Sequence, residues 1–288
     1  GMGYCSPITD TDPTKNPKGL AKTAFTATAN GRVLAFDLEQ SQRGIGRLKW
    51  IYPAVRMKLH ATADDADKPS LGEMAASPAY ANNKLFIAGK NGIVRCITDV
   101  TSNAPTEDWY FVSDSDTDGQ PSEFSSSPAL DGNYAYLAST GGHVYCLDMS
   151  GNGKDDKGRI TTPVWQYPAV PASSSDPVDN PLGAFRFSTP AIATPRDGIK
   201  RVWVASTDGH IYSFKADTGA RLFVDDSGNA HNTPPTYDEP SFGQDVQGSV
   251  ALDGTGTSGQ NIIMYVGDIS ENAGQNSGTL HWRDAETG

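Results

Sequence analysis

In this 288-residue chain the segment Asp114-Ser115-Asp116-Thr117-Asp118-Gly119 points most directly to chemistry by its residue types and spacing. Carboxylates on alternate residues with a glycine in sixth place reproduce the first half of an EF-hand-type calcium loop, because a tight turn gathers hard oxygen ligands around a hard cation. The twelfth position is Ser125 and the nearest acid, Glu123, falls at the tenth, so the bidentate closing carboxylate is missing or displaced. Two readings stay open on the sequence: a weak calcium site held by Asp114, Asp116 and Asp118, and a solvated acidic turn. The other acidic loops, Asp64-Asp65-Ala66-Asp67 and Asp225-Asp226-Ser227, lack the alternation and read as solvent-facing.

A second constellation emerges from a recurring small-residue-plus-Pro opening. Four residues ahead of the Ser or Thr of each copy stand Met2, Glu73, Glu123, Phe185 and Asp245, with Arg186 beside the fourth. If the copies surround one axis, Glu73, Glu123, Arg186 and Asp245 converge on one mouth of a central channel. Such a ring suits a metal ion, an amine or a basic peptide; the plain alternative is ordinary polarity where a loop meets a strand. Other chemistries find little footing. The five histidines show no H-E-x-x-H spacing, and His143 and His210 read as solvent-edge strand residues; there is no G-x-S-x-G elbow and no glycine-rich loop opening a helix. Three cysteines cannot form a fully paired framework. Cys96 and Cys146 each lie four residues after a turn glycine, a slot that holds Ala35, Ser213 and Trp282 in the other copies, which predicts buried packing positions rather than metal or redox sites. No catalytic residue is assigned.

The elements that must hold these residues are short strands. Glycine (30) and proline (19) punctuate short apolar runs, and 37% hydrophobic content supports a large core. A net charge of −11 argues against nucleic acid, and the longest apolar run, Ile262-Ile263-Met264-Tyr265-Val266, is far too short for a membrane-spanning helix. The openings Cys5-Ser6-Pro7, Ala76-Ser77-Pro78, Ser126-Ser127-Pro128 and Ser188-Thr189-Pro190, with a looser Gly248-Ser249-Val250, each lead into a strand. A tight turn follows in the first four copies (Asn30-Gly31, Asn91-Gly92, Gly141-Gly142, Asp208-Gly209), and then a third strand. The fourth strand carries an aromatic pair, Trp50-Ile51-Tyr52, Trp109-Tyr110-Phe111 and Trp165-Gln166-Tyr167, weakening to Leu222-Phe223. Four antiparallel strands repeated without helical periodicity predict an all-β fold, a β-propeller with five readable four-stranded blades, the last incomplete. Residues 1–288 read as one propeller domain, expected to be a fragment of a larger propeller or protein.

The repeat unit resembles that of the quinoprotein-like (pyrroloquinoline quinone repeat) propellers, on Ser77-Pro78-Ala79, the turn Asn91-Gly92, and the segments Lys215-Ala216-Asp217-Thr218-Gly219 and Asp284-Ala285-Glu286-Thr287-Gly288. In that family a Thr-Gly turn and a following Trp lock neighbouring blades; only blades four and five keep the Thr-Gly here. The resemblance implies a periplasmic or extracellular protein, a non-catalytic binding or scaffold module that uses loops on one face for a protein or peptide partner. Two alternatives follow from the same likeness: a quinone-dependent dehydrogenase-like enzyme, and a calcium-stiffened module of a surface adhesin. The adjacent Cys-Cys pair and recognisable Trp floor that quinone-dependent relatives commonly carry are missing from this sequence, so a quinone cofactor is not expected. Calcium remains the candidate ion.

Overall fold

The computed structural model describes residues 5–10, 21–42, 45–53, 72–115, 119–168, 183–224, 230–231, 246–254, 262–272 and 275–285. Among them there is no helix, and the strands form five sheets in chain order. Blade one holds β1 (Ile8–Thr9), β2 (Thr23–Thr28), β3 (Arg32–Gln42) and β4 (Ile45–Tyr52). Blade two holds β5 (Ala79–Ala81), β6 (Lys84–Ala88), β7 (Ile93–Thr98) and β8 (Thr106–Val112). In blade three, β9 (Ala129–Asp131), β10 (Tyr134–Ala138) and β11 (Val144–Asp148) are followed by β12 (Arg159–Ile160) and β13 (Trp165–Tyr167). Blade four comprises β14 (Ala191–Ala193), β15 (Arg201–Ala205), β16 (Ile211–Lys215), β17 (Arg221–Val224) and β18 (Ala230–His231). Blade five has β19 (Ala251–Asp253), β20 (Ile263–Asn272) and β21 (Gln275–Asp284), and no fourth strand among the described residues. The architecture is that of β-propeller blades, as the repeat predicts.

Each innermost strand begins two residues after its opening Ser or Thr, and successive innermost strands lie next to one another. The hydroxyl of the opening explains why the repeat keeps it. Ser77 Oγ accepts a hydrogen bond from Ser6 N (2.7 Å), Ser127 Oγ from Ser77 N (2.9 Å), Thr189 Oγ1 from Ser127 N (3.2 Å) and Ser249 Oγ from Thr189 N (3.0 Å). One side chain per blade thus satisfies a backbone donor of the blade before it, and the chain of such bonds runs through all five blades.

A second latch sits at the other edge of each sheet. The Trp50 indole donates to Val100 O (2.9 Å), Trp109 to Met149 O (3.4 Å) and Trp165 to Ala216 O (2.9 Å), so each fourth-strand Trp bonds a backbone carbonyl just past the third strand of the following blade. Blade two gains a further strand from its neighbour, since β12 of blade three pairs in parallel with β8 (Arg159 opposite Tyr110, Ile160 opposite Phe111).

The core is divided between blades. One cluster joins Phe86, Cys96 and Trp109 of blade two to Leu137, Tyr145 and Leu147 of blade three; the next joins Tyr136, Cys146 and Trp165 to Val202, Tyr212 and Phe214. Strands covered by a neighbour on both sides are buried along their length, as in β7, β11 and β15. In β2, by contrast, buried and half-buried residues alternate. Cys96 and Cys146 are fully buried free thiols, opposite Trp109 and Trp165 in register. A small residue in that slot leaves room for the cross-strand indole. Burial pushes both thiols up to about 12, so neither is a nucleophile at neutral pH.

Candidate functional site

One end of the blades gathers the second-to-third-strand turns, the ends of the fourth strands and the segments leading into the innermost strands. Backbone bonds set the register of those segments. Glu73 O accepts from Lys90 N (2.8 Å), Glu123 O from Thr140 N (2.9 Å) and Ala184 O from Thr207 N (2.9 Å). Phe124 N donates to Gly89 O (3.1 Å), and Phe185 N makes the same contact one blade later with Ser139 O (3.3 Å). In blade four the equivalent of Glu73 and Glu123 is therefore Ala184, and Phe185 is a fully buried core residue rather than a member of the ring. Counting four residues back from Thr189 misses this because blade four contains one extra residue, accommodated at Phe187, whose φ is +56°.

Glu73, Glu123 and Arg186 are all exposed on this end. Glu73 pairs with Lys90 (3.0 Å), an ion pair open to solvent and worth little by itself. Glu123 and Arg186 line a common cleft of about 710 Å³, and neither side chain bonds another described residue. Blade two contributes Lys90 and Asn91, blade three Gln120, Pro121, Glu123, Ser125 and Thr140, and blade four Arg186 and Phe187. Asp245 lies outside the described residues. The structure therefore brings Glu123 and Arg186 together, sets Glu73 beside Lys90 at the cleft's edge, and adds Phe187, which the sequence reading did not single out. A bulky residue immediately before Ser188-Thr189-Pro190, one position longer than the Ser125-Ser126-Ser127-Pro128 spacing from the preceding Phe, is the signal that could have found it.

Two aspartates pin this end of the molecule. Asp114 accepts from Gln166 Nε2 (2.8 Å) and the Tyr145 hydroxyl (3.3 Å) through Oδ2, while its own N–H donates to the Tyr145 oxygen (3.0 Å). His143 stacks on Tyr145 with its Nε2 3.9 Å from the same Oδ2, and it is buried instead of edging the solvent as the sequence reading expected, because the segment carrying Asp114 covers it. In blade four Asp208 accepts from the Tyr212 hydroxyl (2.7 Å), Gly183 N (3.0 Å) and His210 N (3.1 Å). Burial opposes ionisation of Asp208, but the hydrogen bonds from His210, Tyr212, Ser206 and Gly183 outweigh it and hold the carboxyl well below the usual range.

Of the calcium-loop carboxylates Asp114, Asp116 and Asp118, the last two lie outside the described residues, and Asp114 Oδ2 accepts from Gln166 and Tyr145. Among the described residues no cluster of three or more His, Cys, Asp or Glu is arranged to hold a metal, and no helix is long and apolar enough to cross a membrane.

A family model described as outer membrane protein assembly factor BamB matches residues 11–154, half of the chain. The chain belongs to that family. Among solved structures it is similar to the computationally designed protein Ika4 (12% identity, 75% of this chain and 98% of that one, TM-score 0.42). It is also similar to the designed protein Ika8 (12% identity, 87% and 66%, TM-score 0.40) and to BamB from Moraxella catarrhalis (15% identity, 91% and 82%, TM-score 0.37). No curated protein matches. The matched residues take in blade one from β2 onward, blade two and β9 to β11 of blade three, including the Trp50 and Trp109 latches and the first part of the cleft.

Proposed function

We propose that this chain is a non-catalytic binding and scaffold module that presents the cleft between blades two, three and four to a protein partner. The observation that carries the reading is the pair Glu123 and Arg186: an anion and a cation line one cleft of about 710 Å³ without bonding one another or any other described residue. Charged groups placed that way cost nothing to desolvate until a partner arrives, and then select it by complementarity. Membership of a family described as an outer membrane assembly factor supports a periplasmic setting for that partner. The alternative enzyme reading predicts something different, a chromophore and an oxidation activity recovered on adding quinone and calcium.

Site-specific photo-crosslinking in the native host tests the proposal. A crosslinker at Gln120, on the cleft wall, is expected to trap a discrete partner, and Glu123→Lys or Arg186→Glu should abolish the adduct while leaving the melting temperature within a degree or two. An adduct indifferent to both charge reversals, or adducts obtained only from a crosslinker at Lys157 on the opposite end of the blades, would overturn it.

A further inference from the structure

Phe187 combines three features seldom found together. Its φ of +56° is disfavoured for any bulky side chain, and the residue is 46% exposed, so burial does not offset the conformation. Its backbone is nonetheless fixed at both ends: Phe187 N donates to Ser125 Oγ of blade three (3.3 Å) and Phe187 O accepts from Ser249 Oγ of blade five (3.3 Å). Ser249 is the same hydroxyl that accepts Thr189 N in the inter-blade latch, so the fold's own ladder holds the inserted residue in place. The ring is thereby presented on the cleft wall next to Arg186, in a cleft whose other walls carry Glu123 and the amide side chains of Asn91 and Gln120.

We infer that Phe187 is the apolar anchor of the cleft, and that the cleft takes an extended polypeptide segment in which one apolar or aromatic side chain is flanked by a basic and an acidic residue. This rests on the binding reading above and names the partner's chemistry. An exposed ring offers its face to a second apolar or aromatic group, while Glu123 calls for a cation and Arg186 for an anion. A simple amine or a simple carboxylate would satisfy only one wall. Nucleic acid is disfavoured by the net charge of −11.

The test uses the blocked pentapeptide acetyl-Gly-Lys-Phe-Glu-Gly-amide, titrated calorimetrically at low salt into the whole chain and its variants. Saturable binding is expected for the wild type, weakened at least tenfold by Phe187→Gly and equally by changing the peptide's Phe to Ala, the two changes together costing no more than either alone. Glycine adopts positive φ freely, so Phe187→Gly should also raise the melting temperature by a few degrees, a result that a purely structural role for the ring would reverse. Unchanged affinity in Phe187→Gly, with binding lost in Glu123→Gln/Arg186→Gln, would sink the anchor and leave the binding cleft standing. A wild-type chain that ignores the peptide at millimolar concentration would sink the ligand class, and crosslinking at Gln120 then judges the broader reading separately.

Discussion

Blades three and four lead into their third strands with the same pattern, His143-Val144-Tyr145 and His210-Ile211-Tyr212, and both bring the tyrosine hydroxyl to an aspartate. The aspartates come from different places. Asp114 arrives from the segment that follows blade two, 31 residues before its tyrosine, whereas Asp208 belongs to blade four's own hairpin turn, four residues before its tyrosine. In blade three the incoming segment itself carries the carboxylate and lies over His143; in blade four the turn carries it and reaches out to grip the incoming segment at Gly183. In these two blades a carboxylate sits between loop and turn, and either side supplies it. Burial, reinforced by the Asp114 charge, pushes the Tyr145 hydroxyl upward and keeps it a donor.

The equivalence of the two blades is tested most severely at their turn glycines, where they should behave alike. Gly151 (φ +83°) lies against Trp109 and Gly219 (φ +70°) against Trp165; an added Cβ would fall 2.6 Å from Trp109 Cδ1 and 2.5 Å from Trp165 Cε3. Gly151→Ala and Gly219→Ala should each cost about 3 kcal/mol in chemical denaturation, from strained φ together with displacement of the indole. A loss below about 1 kcal/mol at one of them would show that its Trp latch is dispensable and would break the parallel.

The two aspartates should then separate the blades. Asp208→Ala removes the acceptor of several donors and should cost about 2 kcal/mol at neutral pH. The sign with pH follows from its depressed folded value: the stabilisation is complete above the ordinary carboxylate range and is lost as pH falls below about 4, so the gap between wild type and Asp208→Ala should close in acid. Asp114→Ala leaves Gln166 and Tyr145 without their acceptor and should cost about 1 to 2 kcal/mol. Calcium sharpens this contrast. Ligation by Asp114, Asp116 and Asp118 would make millimolar calcium raise the melting temperature, with Asp116→Ala abolishing the rise and Asp208→Ala preserving it. A calorimetric blank at millimolar calcium would leave Asp114 with its anchoring role alone.

Much of this architecture was legible in the sequence because it is carried by short-range pattern. The turn dipeptides, the Ser/Thr-Pro openings and the fourth-strand Trp residues each act within their blade or on the next one, and repetition amplifies a signal that would be weak in a single copy. What escaped is what depends on three dimensions. The parallel pairing of β12 with β8 reverses no pattern in either segment. Ser150-Gly151 serves as blade three's version of the Thr-Gly turn without its threonine, because the requirement is for a glycine under Trp109 and not for a particular neighbour. The partners of Asp114, Tyr145 and Gln166, lie 31 and 52 residues away, beyond any local pattern. Glu73 and Glu123 occupy equivalent positions, but the count of four residues is one out of register at Phe185, since an insertion absorbed by a positive φ leaves no mark on composition.

The smallest effect comes from one slot compared across the same two blades. Cys146 in β11 faces Trp165 across the strand pair, and Ser213 in β16 faces Leu222. Both sit where a small side chain is required, but a thiol behaves there as a small hydrophobe while a hydroxyl wants a partner. Ser213 Oγ is buried with no hydrogen-bond partner among the described residues, so blade four carries a desolvation cost that blade three avoids. Ser213→Cys should therefore stabilise the chain by about 0.5 to 1 kcal/mol, and Cys146→Ser should destabilise it by about 1 kcal/mol. With Cys146 pushed up to about 12 by burial, its labelling in the native protein should stay slow even at pH 9.5, where an ordinary thiol, with a pKa of about 8.5, is mostly ionised. Destabilisation by Ser213→Cys would mean that the Ser213 hydroxyl has a partner after all, and that the slot is chemically different in the two blades as well as differently opposed.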